Sequence, residues 1–226
     1  MYDPFRYLRL LATKNAMETK DNASIFCDLG SGDGAFIKLI QDDFPNSRIV
    51  GLDLDKSKIR EASANDNVDF IVADVHFIPL QQSSCDIVTC LEVVEHINNF
   101  ASFFNEIERV MKPEGTFVIS TPNIRSFSAI TASFVYAVLG KKYKAFDETH
   151  VNLYRPERIM KRLETFSFHD FRLSGFWLLP SGLSWSPLLS ALTTNGRLVR
   201  LLSKSFSNKF LVKLAFITIV KCRRGS

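Results

Sequence analysis

The chain reads as short apolar runs, separated by turn residues, alternating with stretches whose apolar positions recur at helical spacing. The run at 24–29 predicts a strand, and Phe36, Ile37, Leu39 and Ile40 predict a helix over 34–43. Pro45-Asn46 turns the chain into a second strand, Arg48-Ile49-Val50-Gly51-Leu52-Asp53, and a helix over 56–64 follows, with Asp55 as its cap. Further strands are expected at 68–73, 86–91 and 116–120, with a helix over 99–111 and a turn at Lys112-Pro113-Glu114-Gly115. A crossover helix begins at Pro156, a sixth strand covers 168–178, and Phe210 to Cys222, which alternates poorly, reads as a central strand. This pattern predicts an α/β fold: one domain, 1–226, with a doubly wound, seven-stranded, mostly parallel sheet.

Three segments fall outside the alternation. Within 1–22, residues 4–20 form an amphipathic helix that either covers the crevice at the strand ends or packs on the core. The insertion at 124–150 carries Phe127, Ile130, Phe134 and Val138 on one helical face, which fits a lid over the substrate, a homo-oligomer contact or a core helix. In 179–208, Ser186-Pro187 opens a leucine-rich helix, and after Gly196 leucines interleave with Arg197, Arg200 and Lys204. A basic amphipathic stretch of this kind fits peripheral contact with a membrane through 186–206, and equally an apolar flap whose charges are solvated.

Composition changes this picture in three places. The net charge of +4 hides an asymmetry: nine of the 28 basic residues and no acidic one lie in 171–226, leaving 19 basic against 24 acidic residues before it, a net of −5. An acidic body thus carries a basic, apolar tail suited to anionic surfaces. The 20 phenylalanines point to a Phe-rich core. Cys27, Cys85, Cys90 and Cys222 lack metal spacing and read as reduced, mostly buried thiols; with Tyr2-Asp3-Pro4 opening the chain and no signal-peptide pattern, a cytoplasmic protein is expected.

The candidate chemistry centres on Cys27-Asp28-Leu29-Gly30-Ser31-Gly32-Asp33-Gly34-Ala35-Phe36. A strand, a glycine turn and a helix start let a ligand approach bare backbone. Gly30, Gly32 and Ala35 also satisfy the dinucleotide pattern. Asp28 and Asp33, with no Lys or Arg in the loop, disfavour a pyrophosphate and favour a ligand bearing an ammonium and a sulfonium. Asp53, 23 positions after Gly30, stands near the ~20-residue spacing of an acid that accepts from ribose hydroxyls, although a capping role also fits it.

The glycine stretch resembles motif I of the class I S-adenosylmethionine-dependent methyltransferases. The segment MKPEGTFVISTPN resembles the LKPGG turn and strand of the small-molecule members, in particular the ubiquinone-biosynthesis-type O-methyltransferases of the methyltransferase type 11 group. The resemblance covers about residues 24–170. It implies S-adenosyl-L-methionine as cofactor, held by Asp28, Gly30, Ser31, Gly32, Asp53, Leu54 and Leu91, with Asp74 and Val75 beside the adenine.

Methyl transfer from a sulfonium needs alignment, exclusion of water, and a base or metal for the acceptor's proton. Glu92, Glu95 and His96 follow strand four, and one helical turn would present all three on one side, with His150 joining from the far end of the insertion. This set suits Mg²⁺ or Mn²⁺ with open positions. The E-x-x-E-H arrangement resembles both the ubiquinone-type enzymes and the small-RNA 2′-O-methyltransferases, in which such residues bind a divalent metal. His150 as a base without metal, His96 as a pocket wall, and a structural role for both remain open. The Asn/Asp-Pro-Pro-Tyr/Phe clamp is absent and Cys90 lies within a strand, so a nucleic-acid partner is not expected. The reading is O-methylation of a small apolar or lipid-like acceptor. Its rivals are an RNA 2′-hydroxyl enzyme and a non-catalytic cofactor-binding module.

Overall fold

The computed structural model describes residues 4–18, 23–62, 68–123, 126, 129–130, 155–176 and 207–225. Helix α1 (Pro4–Met17) precedes β1 (Ile25–Leu29), α2 (Ala35–Ile40), β2 (Arg48–Asp53), α3 (Lys56–Glu61) and β3 (Val68–Val72). Then come β4 (Cys85–Leu91), α4 (Phe100–Val110), β5 (Met111–Pro122), α5 (Pro156–Glu164), β6 (Phe168–Phe176), α6 (Lys209–Leu214) and β7 (Ile217–Arg224). The seven strands lie in the order β3-β2-β1-β4-β5-β7-β6. Strands β3 to β5 pair in parallel, and β7 runs antiparallel to both its neighbours.

Alternation along each strand divides the apolar residues between two cores. Cys27, Leu29, Val50, Leu52, Val88 and Cys90 face α4 and α5, where Phe103, Phe104, Ile107, Ile159 and Leu163 cover them. Phe26, Ile49, Ile87, Val118 and Ile219 face the other way, onto Leu8 and Ala12 of α1 and Phe36, Ile37 and Ile40 of α2. Much of the phenylalanine is spent in the first core, where the Phe104 ring lies 5.0 Å from Phe103, 5.1 Å from Phe166 and 6.5 Å from Phe117. All four cysteines are free and buried, as their apolar settings predicted. Among the described residues no helix is long and apolar enough to cross a membrane.

Three expectations need correcting. The helix expected to Asp43 is α-helical only to Ile40, and Gln41–Asp43 tightens into a 3₁₀ turn. Strand five extends well beyond 116–120 at both ends, because Met111 already pairs with Cys85 across an irregularity in the ladder. The run from Phe210 to Cys222 divides into α6 and β7. Asn208 Oδ1 accepts from the Leu211 amide at the start of α6, and the buried Asn123 donates its Nδ2 to the carbonyls of Lys213 and Ala215 at its end. That side chain gives the helix a stop that no local breaker in the sequence announces. The lid expected at 124–150 and the flap at 179–208 lie outside the described residues, apart from residues 126, 129–130 and 207–208.

Strand β1 has β2 on one side and β4 on the other, so the chain reverses its direction of winding between β1 and β4. In an open α/β sheet the crevice outside the carboxyl ends of such strands is the place where ligands bind.

Candidate functional site

The crevice is a cavity of about 340 Å³ lined by Asp28, Gly30, Ser31, Gly32, Asp33, Asp53, Leu91 and Glu92, with Arg6, Arg9, Leu10, Phe36, Lys58 and Glu61 completing it. Its floor is the turn after β1. The amides of Gly30 and Ser31 donate to the Leu52 carbonyl at 2.7 and 2.9 Å, which pins the turn to β2. Gly30 has a φ of +73°, and a Cβ there would stand 2.2 Å from Cγ2 of Val93, so the protein itself fills that space. Gly32 differs. Its φ is +56°, but a Cβ would meet nothing nearer than Cδ of Lys58 at 3.9 Å. The backbone at Gly32 is bare toward the cavity and not toward the core.

Two aspartates close this floor. Asp53 Oδ2 accepts from the Gly32 amide at 2.8 Å, and its Oδ1 accepts from the Asp55 amide at 2.8 Å. A carboxylate has about four lone-pair sites, so acceptor capacity remains for a ligand hydroxyl. Asp55 caps α3 by accepting from the Ser57 amide at 2.8 Å, as expected. Asp28 is 2% exposed and accepts from Thr89 Oγ1 at 2.6 Å. Burial pushes its carboxyl up to about 7, with the Thr89 bond opposing and Asp53 adding to the rise.

The sequence reading missed the cations. Arg6 of α1 donates from Nη1 and Nη2 to both oxygens of Asp33, at 2.8 and 2.5 Å, and holds that carboxyl below the usual range. Arg9, one turn further on the same helix face, donates to Glu92 Oε2 at 3.1 Å. The lining therefore sets Asp28, Asp33, Asp53, Glu61 and Glu92 against Arg6, Arg9 and Lys58, acidic in balance but not bare of cations. The available signal was the amphipathic pattern of residues 4–20, within which α1 covers the crevice with one face and packs Leu8 and Ala12 into the core with another.

The segment after β4 departs from the expected helical turn. Glu92 takes a left-handed φ of +57°, at a cost of about 1–2 kcal/mol for a residue with a Cβ, and a 3₁₀ turn over Val94–His96 follows. Three residues per turn separate what an α-turn would align. Glu92 reaches the cavity, Glu95 is buried at 1% exposure, and His96 is exposed. Glu92 Oε1 also accepts from Ser120 Oγ at 3.0 Å, and burial raises its carboxyl against the opposing pull of Arg9. Glu95 accepts from Thr121 Oγ1 at 3.4 Å, and burial, with the Glu92 carboxylate beside it, pushes it up to about 9. Among the described residues no three His, Cys, Asp or Glu side chains converge to hold a metal ion. Three of the four residues expected to form the metal set are thus dispersed by the turn, and His150 lies outside the described residues.

Leu54 stands on the rim, 71% exposed, and Val75 packs against the α4 side of the core, so neither lines the cavity. Asp74 occupies the next strand end along the rim: Asp53 pairs with Val72, and the Ala73 amide donates to the Asp53 carbonyl at 3.0 Å.

Two lining residues carry polar atoms that the fold leaves over. Ser31 Oγ and Arg9 Nε are buried with no hydrogen-bond partner among the described residues. A bare glycine backbone, a hydroxyl, a guanidinium edge and acidic groups with acceptor capacity suit a zwitterionic ligand that carries a further positive charge and a ribose.

Residues 20–160 match the family model of a methyltransferase domain. Over 102 residues the chain is 35% identical to a probable S-adenosylmethionine-dependent methyltransferase of Mycolicibacterium smegmatis, a match covering 45% of this chain and 39% of that protein. Over 132 residues it is 28% identical to the ubiquinone biosynthesis O-methyltransferase of Bartonella tribocorum, covering 54% and 49%. The chain spans less than half the length of each of these two relatives. A solved S-adenosylmethionine-dependent methyltransferase from Archaeoglobus fulgidus shares the fold with a TM-score of 0.67 at 19% identity, over 97% of this chain and 94% of that one.

Proposed function

Because this chain belongs to the class I S-adenosylmethionine-dependent methyltransferases, we propose that it transfers a methyl group to the oxygen of a small, apolar or lipid-like acceptor. The observation that carries the cofactor half of this reading is the open backbone at Gly32, flanked by the Asp53 carboxylate. When bound, the cofactor supplies an already activated methyl on a sulfonium. The protein has then to bind, orient, exclude water and manage one proton.

Its residues divide these tasks. The turn Gly30-Ser31-Gly32 receives the amino-acid end, with Asp28 as counter-charge to an ammonium and Arg9 to a carboxylate. Asp53 accepts from ribose hydroxyls, and Asp74 accepts from the base. Leu10, Phe36 and Leu91 supply apolar wall. Glu92 is the group placed to accept the acceptor's proton. Burial raises its carboxyl above that of a solvated glutamate, which makes its ionised form a stronger base, and the Arg9 guanidinium pulls the other way, toward that ionised form. Glu95, which burial pushes up to about 9, holds its proton at pH 7 and accepts from Thr121 Oγ1, so it acts behind Glu92 and not as the base.

Oxygen as the receiving atom is supported by the name of the ubiquinone-type relative and by a carboxylate base in the cavity. An apolar or lipid-like acceptor is supported by the leucine-rich basic stretch at 186–206, which would lie on an anionic membrane surface. Isothermal titration with S-adenosylmethionine, with NAD as control, tests the first half: micromolar binding of the former alone is expected, and binding of NAD instead would overturn it. Flotation with anionic liposomes tests the second, and a protein that stays in the soluble fraction while shifting labelled RNA would sink the lipid reading.

A further inference from the structure

Asp74 and His76 form a unit that the cofactor reading does not account for. Both donors of His76 converge on one oxygen: its backbone amide reaches Asp74 Oδ1 at 2.9 Å and its Nδ1 reaches the same atom at 2.8 Å. The other oxygen, Oδ2, accepts no hydrogen bond among the described residues, and the Asp74 side chain is 44% exposed on the rim. The amide bond from His76 is the chief reason that the carboxyl lies below its ordinary range, so the acceptor is ionised and Nδ1 must carry the hydrogen. The imidazole is itself fixed. Its edge meets the Phe103 ring at 6.4 Å and 61°, and its Nε2 is buried without a partner among the described residues. An imidazole whose far nitrogen is left dry is held for what its near nitrogen does.

We propose that His76 is a positioning residue that turns Oδ2 of Asp74 toward the exocyclic amine of the cofactor's purine, and thereby sets selectivity for adenine over a 6-oxo purine. The inference rests on the cofactor reading above. Asp53 ends β2 and Asp74 stands two residues past the end of the neighbouring β3; neighbouring strands lie about 4.8 Å apart, so a nucleoside whose ribose is held at the first carries its base over the second. With Oδ1 saturated, the carboxylate presents one acceptor in one direction. An amine donates to it, whereas the oxygen of a 6-oxo purine is an acceptor facing an acceptor. Without the Nδ1 bond a single amide bond holds Oδ1, the carboxylate can swing about that one contact, and its direction is no longer fixed.

The test compares S-adenosylhomocysteine with S-inosylhomocysteine by isothermal titration, alongside thermal melts. Wild type is expected to prefer the adenosyl ligand by about tenfold or more. His76→Phe keeps a ring against Phe103 and removes the donor, and it should bring that ratio toward one at little change in melting temperature. His76→Asn, which offers a short donor near the Nδ1 position, should restore most of the ratio. A purely packing role would move both ligands equally or move only stability, so an unchanged ratio in His76→Phe overturns the proposal. Should His76→Phe fail to fold, His76→Ala read with the same two ligands, with and without added imidazole, decides on the same criterion. Wild type that binds neither ligand overturns the cofactor reading and this inference together, which distinguishes that failure from a specific failure at His76.

Discussion

Replacing Gly32 with alanine separates a glycine kept for the ligand from glycines kept for the fold. At a φ of +56° an alanine pays the left-handed penalty, about 1–2 kcal/mol. No clash adds to this, since the nearest protein atom to the new methyl is a flexible lysine carbon 3.9 Å away. For a chain of this size the melting temperature should fall by about 2–8 °C, and the protein should stay folded. The methyl would stand in the open space at Gly32 where the proposed cofactor site presents bare backbone. Overpacking a fitted site costs about 1–3 kcal/mol, which is roughly a 5- to 150-fold rise in the dissociation constant for S-adenosylhomocysteine. Gly30→Ala is the control: its methyl would stand 2.2 Å from Val93 and should cost the fold before it costs the ligand. Titration calorimetry paired with thermal melts reads both quantities on one preparation. A Gly32→Ala protein that melts as expected and binds with unchanged affinity would refute the placement of the cofactor in this turn.

Asp28→Asn should gain stability and lose affinity. The wild-type carboxyl rises on folding from 3.8 to about 7, so between these pH values the native chain holds a proton that the unfolded chain has released. Wild-type stability therefore falls as pH rises across that window, by an order of 4 kcal/mol, and is flat above it. Urea melts of Asp28→Asn should lack this slope while the cofactor binds more weakly; an equal slope in both proteins would contradict the assignment. A double-mutant cycle on Arg9→Met and Glu92→Gln, read by urea denaturation, should give a coupling of about 1 kcal/mol, and additivity would mean that the 3.1 Å contact contributes nothing. Asp86 ties the amides of Ser24 and Ile25 to Lys112 at the other end of the sheet, and these bonds outweigh its burial to hold the carboxyl low. Asp86→Ala should cost about 2 kcal/mol at pH 7, a difference that shrinks below about pH 4 as the wild-type carboxyl takes up its proton.

The fold was legible wherever structure is local. The apolar run at 24–29 marked a strand, on which Phe26 and Cys27 face opposite cores, and the cap Asp55 announced α3. Where the deciding contact comes from far along the chain, the same reasoning erred. The helix at Lys209–Leu214 was read as part of a strand because the group closing its C-terminus, Asn123, belongs to the segment after β5, about 90 positions earlier. Glu92, Glu95 and His96 were spaced for an α-turn. The chain leaves β4 instead through a left-handed residue, with the Glu92 amide donating to the Ser120 carbonyl of β5, and no spacing rule can anticipate that bond.

The site shows the same division, and its electrostatics turn on it. Asp28, Gly30, Ser31, Gly32 and Asp53 were identifiable because the chemistry of one turn and the next strand end is contiguous in sequence. The charge of the crevice was misjudged because both of its arginines arrive from α1: Arg6 meets Asp33 across 27 positions and Arg9 meets Glu92 across 83. These pairs change what binding requires. A ligand entering a purely acidic crevice would be drawn by its positive charges alone, and its carboxylate would be repelled. Here Arg9 already has one nitrogen on Glu92 while its buried Nε has no partner among the described residues, so a carboxylate can be taken up at that edge and the ion pair kept. The same arginine would then hold the cofactor's anionic end and tune the carboxylate next to the reacting atoms. Arg9→Lys, which keeps the charge but loses the fork, should therefore weaken cofactor binding and shift the pH dependence of methyl transfer together. If binding weakens while the pH profile stays in place, the two ends of this arginine act separately and Glu92 is not the base.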